Sequence, residues 1–197
     1  MGQSRLGVYG GTFNPIHTGH LIIAQEVYDQ FALDRVLFIP SARPPHKHNA
    51  GLIAPEHRYA MTVLATRDDP RFEVSDIEAE RPGTSYTVET LRDLHRRHGP
   101  DCQVFFIIGA DSLLEIGTWR DPDALFALCS IVVVPRPGVD IRQAPLPWRD
   151  RALIVQTPEV AISSTDIRHR VETGRSIRYF VPPAVEQYIR EHRLYQR

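Results

Sequence analysis

The apolar positions of this chain fall into short bursts separated by helical repeats. Leu6–Tyr9 is an apolar run that ends in Gly10-Gly11, and it reads as a strand entering a glycine turn. Leu21, Ala24, Tyr28 and Phe31 then recur at spacings of three and four, which places them on one helix face. Val36–Ile39 is a second strand, stopped by Pro40. Pro55 suits a first helical position, and Met61 and Leu64 give that helix its apolar face. Glu56 near its start and Arg67 near its end suit the helix dipole. Phe72–Val74 is a third strand. Thr84 or Ser85 is the expected cap of a helix carrying Val88, Leu91 and Leu94 and closed by Gly99-Pro100. Val104–Ile108 and Ile131–Val134 are nearly continuous apolar runs, the signature of buried parallel strands. Asp121-Pro122 starts a helix with Leu125 and Leu128, Leu153–Val155 is a short strand, and Ser163–Asp166 opens another helix. Val185, Tyr188 and Ile189 mark a last helix beginning at Pro182-Pro183. The Pro- and Arg-rich stretch Arg136–Arg151 is expected to be a surface excursion.

Strands alternate with helices throughout, which predicts an α/β fold with a parallel sheet covered on both faces. In such a sheet the ligand sits beyond the carboxyl ends of the strands, where the strand order switches. A single domain over 1–197 is expected, with 158–197 a helical subregion. The apolar runs are far too short for a membrane span, and Met1–Gly10 lacks the apolar run of a signal peptide, so a cytoplasmic protein is expected. Hydrophobic residues make up 42% and charged residues 24%, an ordinary globular balance. A net charge of −1 leaves no global positive field for nucleic acid, so any phosphate site must be local. Cys102 and Cys129 form no CxxC pair, and no metal site is expected. Nearly all the basic residues are arginines, and the single lysine, Lys47, stands between His46 and His48.

Two segments carry the chemistry. The first runs from Gly10 through Gly11, Thr12, Phe13, Asn14-Pro15 and His17 to Gly19-His20, between the first strand and the first helix. The glycines permit close backbone approach, and His17 and His20, three apart at a helix mouth, can face one ligand. Gly19 removes a side chain where a phosphate can pack on the helix amides. The segment is neither GxxxxGK(S/T) nor GxGxxG. The second segment is Ile162-Ser163-Ser164-Thr165-Asp166-Ile167-Arg168. Ser163 with Asp166 approximates a capping box. The same geometry offers amides, hydroxyls and the forked charge of Arg168 to an anion. The remaining histidines, His46, His48, His57, His95, His98, His169 and His192, read as solvated surface groups.

Together these segments resemble the HxGH and ISSTxIR signatures of the nucleotidylyltransferase superfamily, and their placement matches its Rossmann-like doubly wound fold. Within it the chain resembles the bacterial nicotinate-nucleotide adenylyltransferases nearly end to end. Pro44-Pro45-His46-Lys47 matches their PPHK loop, and Thr84–Leu91 is similar to SYTxDTL, with Glu89 in place of Asp. Gly109-Ala110-Asp111-Ser112-Leu113 with Trp119 matches GADSL followed by a tryptophan, and Val134-Pro135-Arg136-Pro137-Gly138 is close to their RPG turn. Asn14, where many relatives have Asp, is expected to serve the turn only.

The resemblance implies adenylyl transfer from ATP to nicotinate mononucleotide, with magnesium accompanying ATP and no nucleic-acid or membrane partner. It implies His20 at the α-phosphate, with His17 holding the phosphates and the loop. It implies Arg168, Ser163, Ser164 and Thr165 at the β- and γ-phosphates, and Lys47 bridging the donor and acceptor phosphates. Gly10, Gly11, Thr12, Phe13 and Gly19 complete the expected ATP site. Thr84, Tyr86, Thr87, Gly109, Asp111 and Trp119 are the expected acceptor residues: Trp119 to stack on the pyridine, and the amides near Tyr86 and Thr87 to take its carboxylate. Another adenylyltransferase, acting on a pantetheine phosphate or on nicotinamide mononucleotide, and a non-catalytic nucleotide-binding regulator stay open on the residues. Oligomeric state is not readable.

Overall fold

A computed structural model of the chain describes residues 3–43, 51–81 and 83–196. Its centre is a six-stranded, all-parallel sheet in the order β3-β2-β1-β4-β5-β6. The strands are β1 (Arg5–Gly11), β2 (Arg35–Pro40), β3 (Phe72–Val74), β4 (Gln103–Gly109), β5 (Ser130–Val134) and β6 (Leu153–Ile154). Parallel neighbours need crossovers, and helices supply most of them: α1 (Thr18–Gln30), α2 (Pro55–Thr66), α3 (Thr87–His98), α4 (Ala110–Leu114) and α5 (Pro122–Leu128). A short α6 (Leu146–Arg149) precedes β6, and α7 (Ser164–Glu172) and α8 (Pro183–Glu191) follow it.

Alternation along each strand divides the core in two. Tyr9, Phe38, Phe105, Ile107 and Val132 face one layer, where Ala24 and Val27 of α1, Met61 of α2, Ile167 of α7 and Val185 and Ile189 of α8 cover them. Leu6, Val8, Phe106, Ile108, Ile131 and Val133 face the other, beneath Val88, Leu91 and Leu94 of α3, Leu113 of α4 and Leu125 of α5. The sheet is therefore doubly wound, as the continuous apolar runs predict. The strand order reverses between β1 and β4, so their carboxyl ends, Gly10-Gly11 and Gly109, flank the crevice where such folds bind ligands.

Two local expectations are corrected. Helix α3 starts at Thr87 with Tyr86 as its N-cap residue and no side-chain cap, so neither Thr84 nor Ser85 caps it. Ser85 pairs instead with the backbone of Arg43, its N–H donating to the Arg43 carbonyl at 3.2 Å and its hydroxyl accepting from the Arg43 N–H at 3.4 Å. The stretch 136–151 is the surface excursion expected, and it carries a 3₁₀ turn at Ile141–Gln143 and α6, with Ala144 buried. Among the supposed surface histidines, Nδ1 of His98 on α3 pairs with Nη2 of Arg35 on β2 at 3.2 Å, and two more are tied between elements. His57 of α2 bonds the Tyr188 hydroxyl of α8 at 2.9 Å, and Nε2 of His95 bonds the Leu128 carbonyl at 2.7 Å.

Candidate active site

The loop after β1 and the helix α7 lie far apart in sequence, and hydrogen bonds join them. The Ser164 hydroxyl donates to the Pro15 carbonyl at 2.8 Å, and Nη1 of Arg168 donates to the Asn14 carbonyl at 2.9 Å. The two sequence signatures thus become one surface. Ser163 also fulfils its capping role, its hydroxyl accepting from the Asp166 N–H at 3.0 Å. On α1, the Thr18 N–H donates to the Phe180 carbonyl at 2.9 Å and its hydroxyl to the Tyr179 carbonyl at 3.1 Å. The segment before α8 thereby secures the first turn of α1.

His17 and His20 stand at that first turn. His17 is 7% exposed. Its ring stacks on His20 with centroids 3.7 Å apart, and Phe13 meets His20 edge-on at 5.1 Å. Burial lowers the His17 pKa to about 4, with the Arg136 charge adding to the effect. Burial also holds His20 well below the usual histidine range, helped by His17 and Arg136. Both rings are neutral at pH 7. The backbone N–H of His17 donates to Nδ1 of His20 at 3.1 Å, so the proton of neutral His20 rides on Nε2.

A cleft of about 1320 Å³ opens here, larger than the roughly 300–1,000 Å³ typical of a single small-ligand pocket. Gly10, Gly11, Thr12, Phe13, His17, Gly19, His20, Ser163, Ser164, Thr165 and Arg168 line it. So do Tyr86, Thr87, Gly109, Asp111 and Trp119. Thr84 is exposed and is not part of the wall. Lys47, with the rest of the Pro44–Lys47 motif, lies outside the described residues. The turn at Gly11 needs its glycine, because a Cβ there would stand 2.9 Å from the Phe13 ring. No side chain caps the first turn of α3, and Tyr86, Thr87 and Thr90 at that turn line the same cleft.

Several contributors escape a sequence reading. Arg136, from the turn after β5, pairs with Asp111 at 3.5 Å and carries its charge toward the two histidines. Glu78 is a buried carboxylate on the cleft wall, accepting from the Thr90 hydroxyl at 3.0 Å, and burial pushes its pKa up. Glu89 pairs with Arg120 at 2.9 Å and places the Arg120 guanidinium 4.6 Å from the centre of the Tyr86 ring. Asn14 does more than turn the chain. It is buried, its Nδ2 donates to the Gly51 carbonyl at 2.9 Å, and its Oδ1 accepts from the Tyr195 hydroxyl at 2.9 Å. Arg58, fully buried, donates to the Thr12 carbonyl at 2.8 Å.

Among the described residues no group of three or more His, Cys, Asp and Glu side chains forms a metal cradle, and no helix is long and apolar enough to cross a membrane.

A family model described as cytidylyltransferase-like matches residues 8–170, and the chain belongs to that family. A probable nicotinate-nucleotide adenylyltransferase of Thermus thermophilus is 50% identical over 98% of this chain and 100% of its own length. One of Moorella thermoacetica is 47% identical over 98% of this chain and 92% of its own. Within the family, the chain stands with the nicotinate-nucleotide adenylyltransferases. The fold agrees with the solved structure of a Plasmodium falciparum nicotinic acid mononucleotide adenylyltransferase complexed with NaAD, at a TM-score of 0.79 and 17% identity over 98% of this chain and 97% of that one.

Proposed function

We propose that the cleft joins ATP and nicotinate mononucleotide into deamido-NAD with release of pyrophosphate, a step of NAD biosynthesis. The observation that carries this reading is the single cleft in which the His17–His20 pair, Arg168 and the α7 start face the uncapped first turn of α3. The acceptor phosphate is already an anion, so one of its oxygens attacks the α-phosphorus directly. The bond from that phosphorus to the bridging oxygen breaks, and pyrophosphate leaves with the electron pair. No covalent enzyme intermediate forms, and the protein supplies position and charge.

Each side chain has a task in this reading. Nε2–H of His20 donates to the α-phosphate as charge builds there, and His17 holds the ring against which His20 stacks. Arg168 spans the loop and α7, and with Ser164 and Thr165 it takes the outer phosphates. Lys47 bridges the donor and acceptor phosphates. Magnesium arrives on ATP as part of the substrate. The α3 amides at Thr87 receive the pyridine carboxylate, and Trp119 stacks on the ring. We place the activity in the cytoplasm, within one domain that includes α7 and α8.

The test offers the purified protein ATP and magnesium with nicotinate mononucleotide, nicotinamide mononucleotide or phosphopantetheine, and identifies the product by mass. Deamido-NAD is expected to dominate. Dephospho-coenzyme A as the main product would overturn the acceptor assignment, and binding of ATP without pyrophosphate release from any acceptor would overturn catalysis.

A further inference from the structure

We propose that Tyr195, beyond the end of α8, is a positioning residue for adenylyl transfer: its hydroxyl fixes Asn14, and through Asn14 the stretch of loop on which Ser164 and Arg168 rest. The proposal rests on the role given above to Arg168 and Ser164 at the outer phosphates of ATP.

The path begins where α8 stops, with His192 as its C-cap residue. Arg193 and Tyr195 then take left-handed backbone angles, at φ 49° and 61°. Neither is glycine, and a Cβ makes that conformation unfavourable. Two such residues within three positions persist only where the surroundings dictate them. Leu194 between them is buried in the core layer that α8 covers, and its N–H donates to the Ile189 carbonyl at 3.0 Å. The turn delivers the Tyr195 hydroxyl to the loop after β1, where it donates to Oδ1 of Asn14 at 2.9 Å across 181 positions. Burial pushes the Tyr195 pKa up against the pull of the Arg168 and Arg58 charges, so the hydroxyl keeps its proton and stays a donor. Asn14 is itself buried. Its Nδ2 donates to the Gly51 carbonyl at 2.9 Å, and its Oδ1 also accepts from the Ile53 N–H at a longer 3.5 Å. Tyr195 therefore supplies the shorter bond to Oδ1.

Asn14 in turn carries the seat of α7. Its carbonyl accepts from Nη1 of Arg168 at 2.9 Å, and the next carbonyl, that of Pro15, accepts from the Ser164 hydroxyl at 2.8 Å. Nη2 of Arg168 stays within its own helix, bonding the Thr165 hydroxyl at 3.2 Å. The Asn14 carbonyl is thus the contact that ties the Arg168 guanidinium to the loop after β1. A buried side chain bound at both of its amide atoms leaves its own backbone little freedom to turn, so the direction of that carbonyl follows from Tyr195 and Gly51. Asn14, Ser164 and Arg168 line the cleft, whereas Tyr195 does not. Tyr195 therefore acts through the others. Without its hydroxyl, Oδ1 keeps the 3.5 Å contact alone, and the guanidinium follows the carbonyl it grips. A misplacement near 1 Å of a group that holds substrate matters by about a hundredfold.

The test is a double-mutant cycle. Tyr195→Phe deletes the hydroxyl and keeps the ring. It is combined with Arg168→Ala, which removes the group that Asn14 seats. Both single variants and the double are assayed for kcat and KM with ATP and nicotinate mononucleotide, and each is melted thermally. Tyr195→Phe is expected to melt cooperatively and to raise the KM for ATP roughly three- to tenfold, the effect of one neutral hydrogen bond, with the KM for the acceptor within about twofold of wild type. In the Arg168→Ala background the same change is expected to lower kcat/KM for ATP by a much smaller factor. A purely structural tyrosine would lower the melting temperature and leave this split absent. An unchanged KM for ATP in folded Tyr195→Phe, an equal rise for both substrates, or an equal effect of Tyr195→Phe in both Arg168 backgrounds would overturn the proposal. Should Tyr195→Phe not fold, Asn14→Ala enters the same cycle under the same criteria, since it removes the acceptor of that hydroxyl. Arg168→Ala alone separates the two failures. Wild-type kcat/KM for ATP there overturns the reading of Arg168 at the phosphates. A loss there, with an additive or absent effect of Tyr195→Phe, overturns only the role of Tyr195.

Discussion

The backbone N–H of His17 donates to Nδ1 of His20 at 3.1 Å, and the two rings stack at 3.7 Å. Three residues of separation across the first turn of a helix make this contact possible, and it decides which nitrogen of His20 carries a proton. The donor it leaves on Nε2 is neutral and prepositioned, the arrangement wanted where negative charge develops in a transition state. His20→Ala is expected to lower kcat by about 10²–10³, the usual effect of removing one such donor, while the protein still folds. Steady-state rates and thermal melting of the variant check this.

The buried His17 also gives stability a pH dependence. Its pKa falls from 6.5 to about 4 on folding, so above 6.5 neither state carries its proton. As the pH drops from 6.5 toward 4, the unfolded chain binds a proton that the folded one refuses. Stability is therefore present above 6.5 and lost on acidification through this window, by up to about 3 kcal/mol from this group. Urea unfolding at pH 7 and pH 4.5, in wild type and in His17→Gln, measures the difference. The variant is expected to show the shallower loss. The same depression predicts that kcat/KM has no inflection near 6.5 from either ring.

Gly19→Ala separates activity from stability. Alanine is the better helix former by about 1 kcal/mol, so an added Cβ within α1 favours the helix. That Cβ would stand 3.1 Å from Nδ1 of His17, closer than nearly all real contacts. The buried His17 ring must shift, and its stack on His20 shifts with it. The expected result is a melting temperature equal to or above that of wild type with kcat down about tenfold. Wild-type turnover would show that the stack has no part in the rate.

The fold is legible in the sequence because its strands are short apolar bursts that proline or glycine ends abruptly, as at Ile39-Pro40 and Val134-Pro135. The start of α3 is not, because the cap candidate Ser85 is engaged by the backbone of Arg43, a pairing across 42 positions that leaves no local trace. The packing within 136–151 is hidden for a similar reason. Trp148 there packs so closely on Gly117 that a Cβ on the glycine would stand 2.9 Å from its ring, and a Pro- and Arg-rich composition does not announce such a contact.

The cleft residues are legible where motif and element end coincide, as at Gly10–His20 and Ser163–Arg168. Arg58 is not, since an arginine in an amphipathic helix reads as solvated. Only the convergence of four carbonyls from elsewhere in the chain makes burial favourable. Asn14 reads as a turn residue for the same reason: its partners Gly51 and Tyr195 lie 37 and 181 positions away.

Arg168 joins the two motifs, and its fork is what allows this. One arm reaches the Asn14 carbonyl at 2.9 Å and the other the Thr165 hydroxyl at 3.2 Å. A lysine keeps the charge but loses the two-armed span. Arg168→Lys is expected to raise the KM for ATP at least about tenfold, with a smaller change for the acceptor, because each charge-assisted hydrogen bond contributes about 1.5–3 kcal/mol. Equal changes for both substrates would place Arg168 outside the ATP subsite.

The acceptor carboxylate offers the sharpest discrimination, because one backbone hydrogen can be deleted without disturbing the helix it starts. Thr87 is the first residue of α3, a position where proline is well tolerated because its N–H has no partner within the helix. Tyr86 before it has φ −101° and ψ 129°, the extended conformation that a following proline demands. Thr87→Pro should therefore fold as wild type does, yet it removes an amide assigned to the pyridine carboxylate. Losing one hydrogen bond to a charged group costs about 1.5–3 kcal/mol, or roughly 10–150-fold in kcat/KM. The expected outcome is a loss of that size for nicotinate mononucleotide, little change for nicotinamide mononucleotide, and an unchanged KM for ATP. The ratio of the two acceptor efficiencies is the decisive readout, since general damage to the site would lower both together. A ratio that matched wild type would remove the α3 amide from acceptor selection and leave Trp119 and the Arg120 that lies over Tyr86 as the groups to test next.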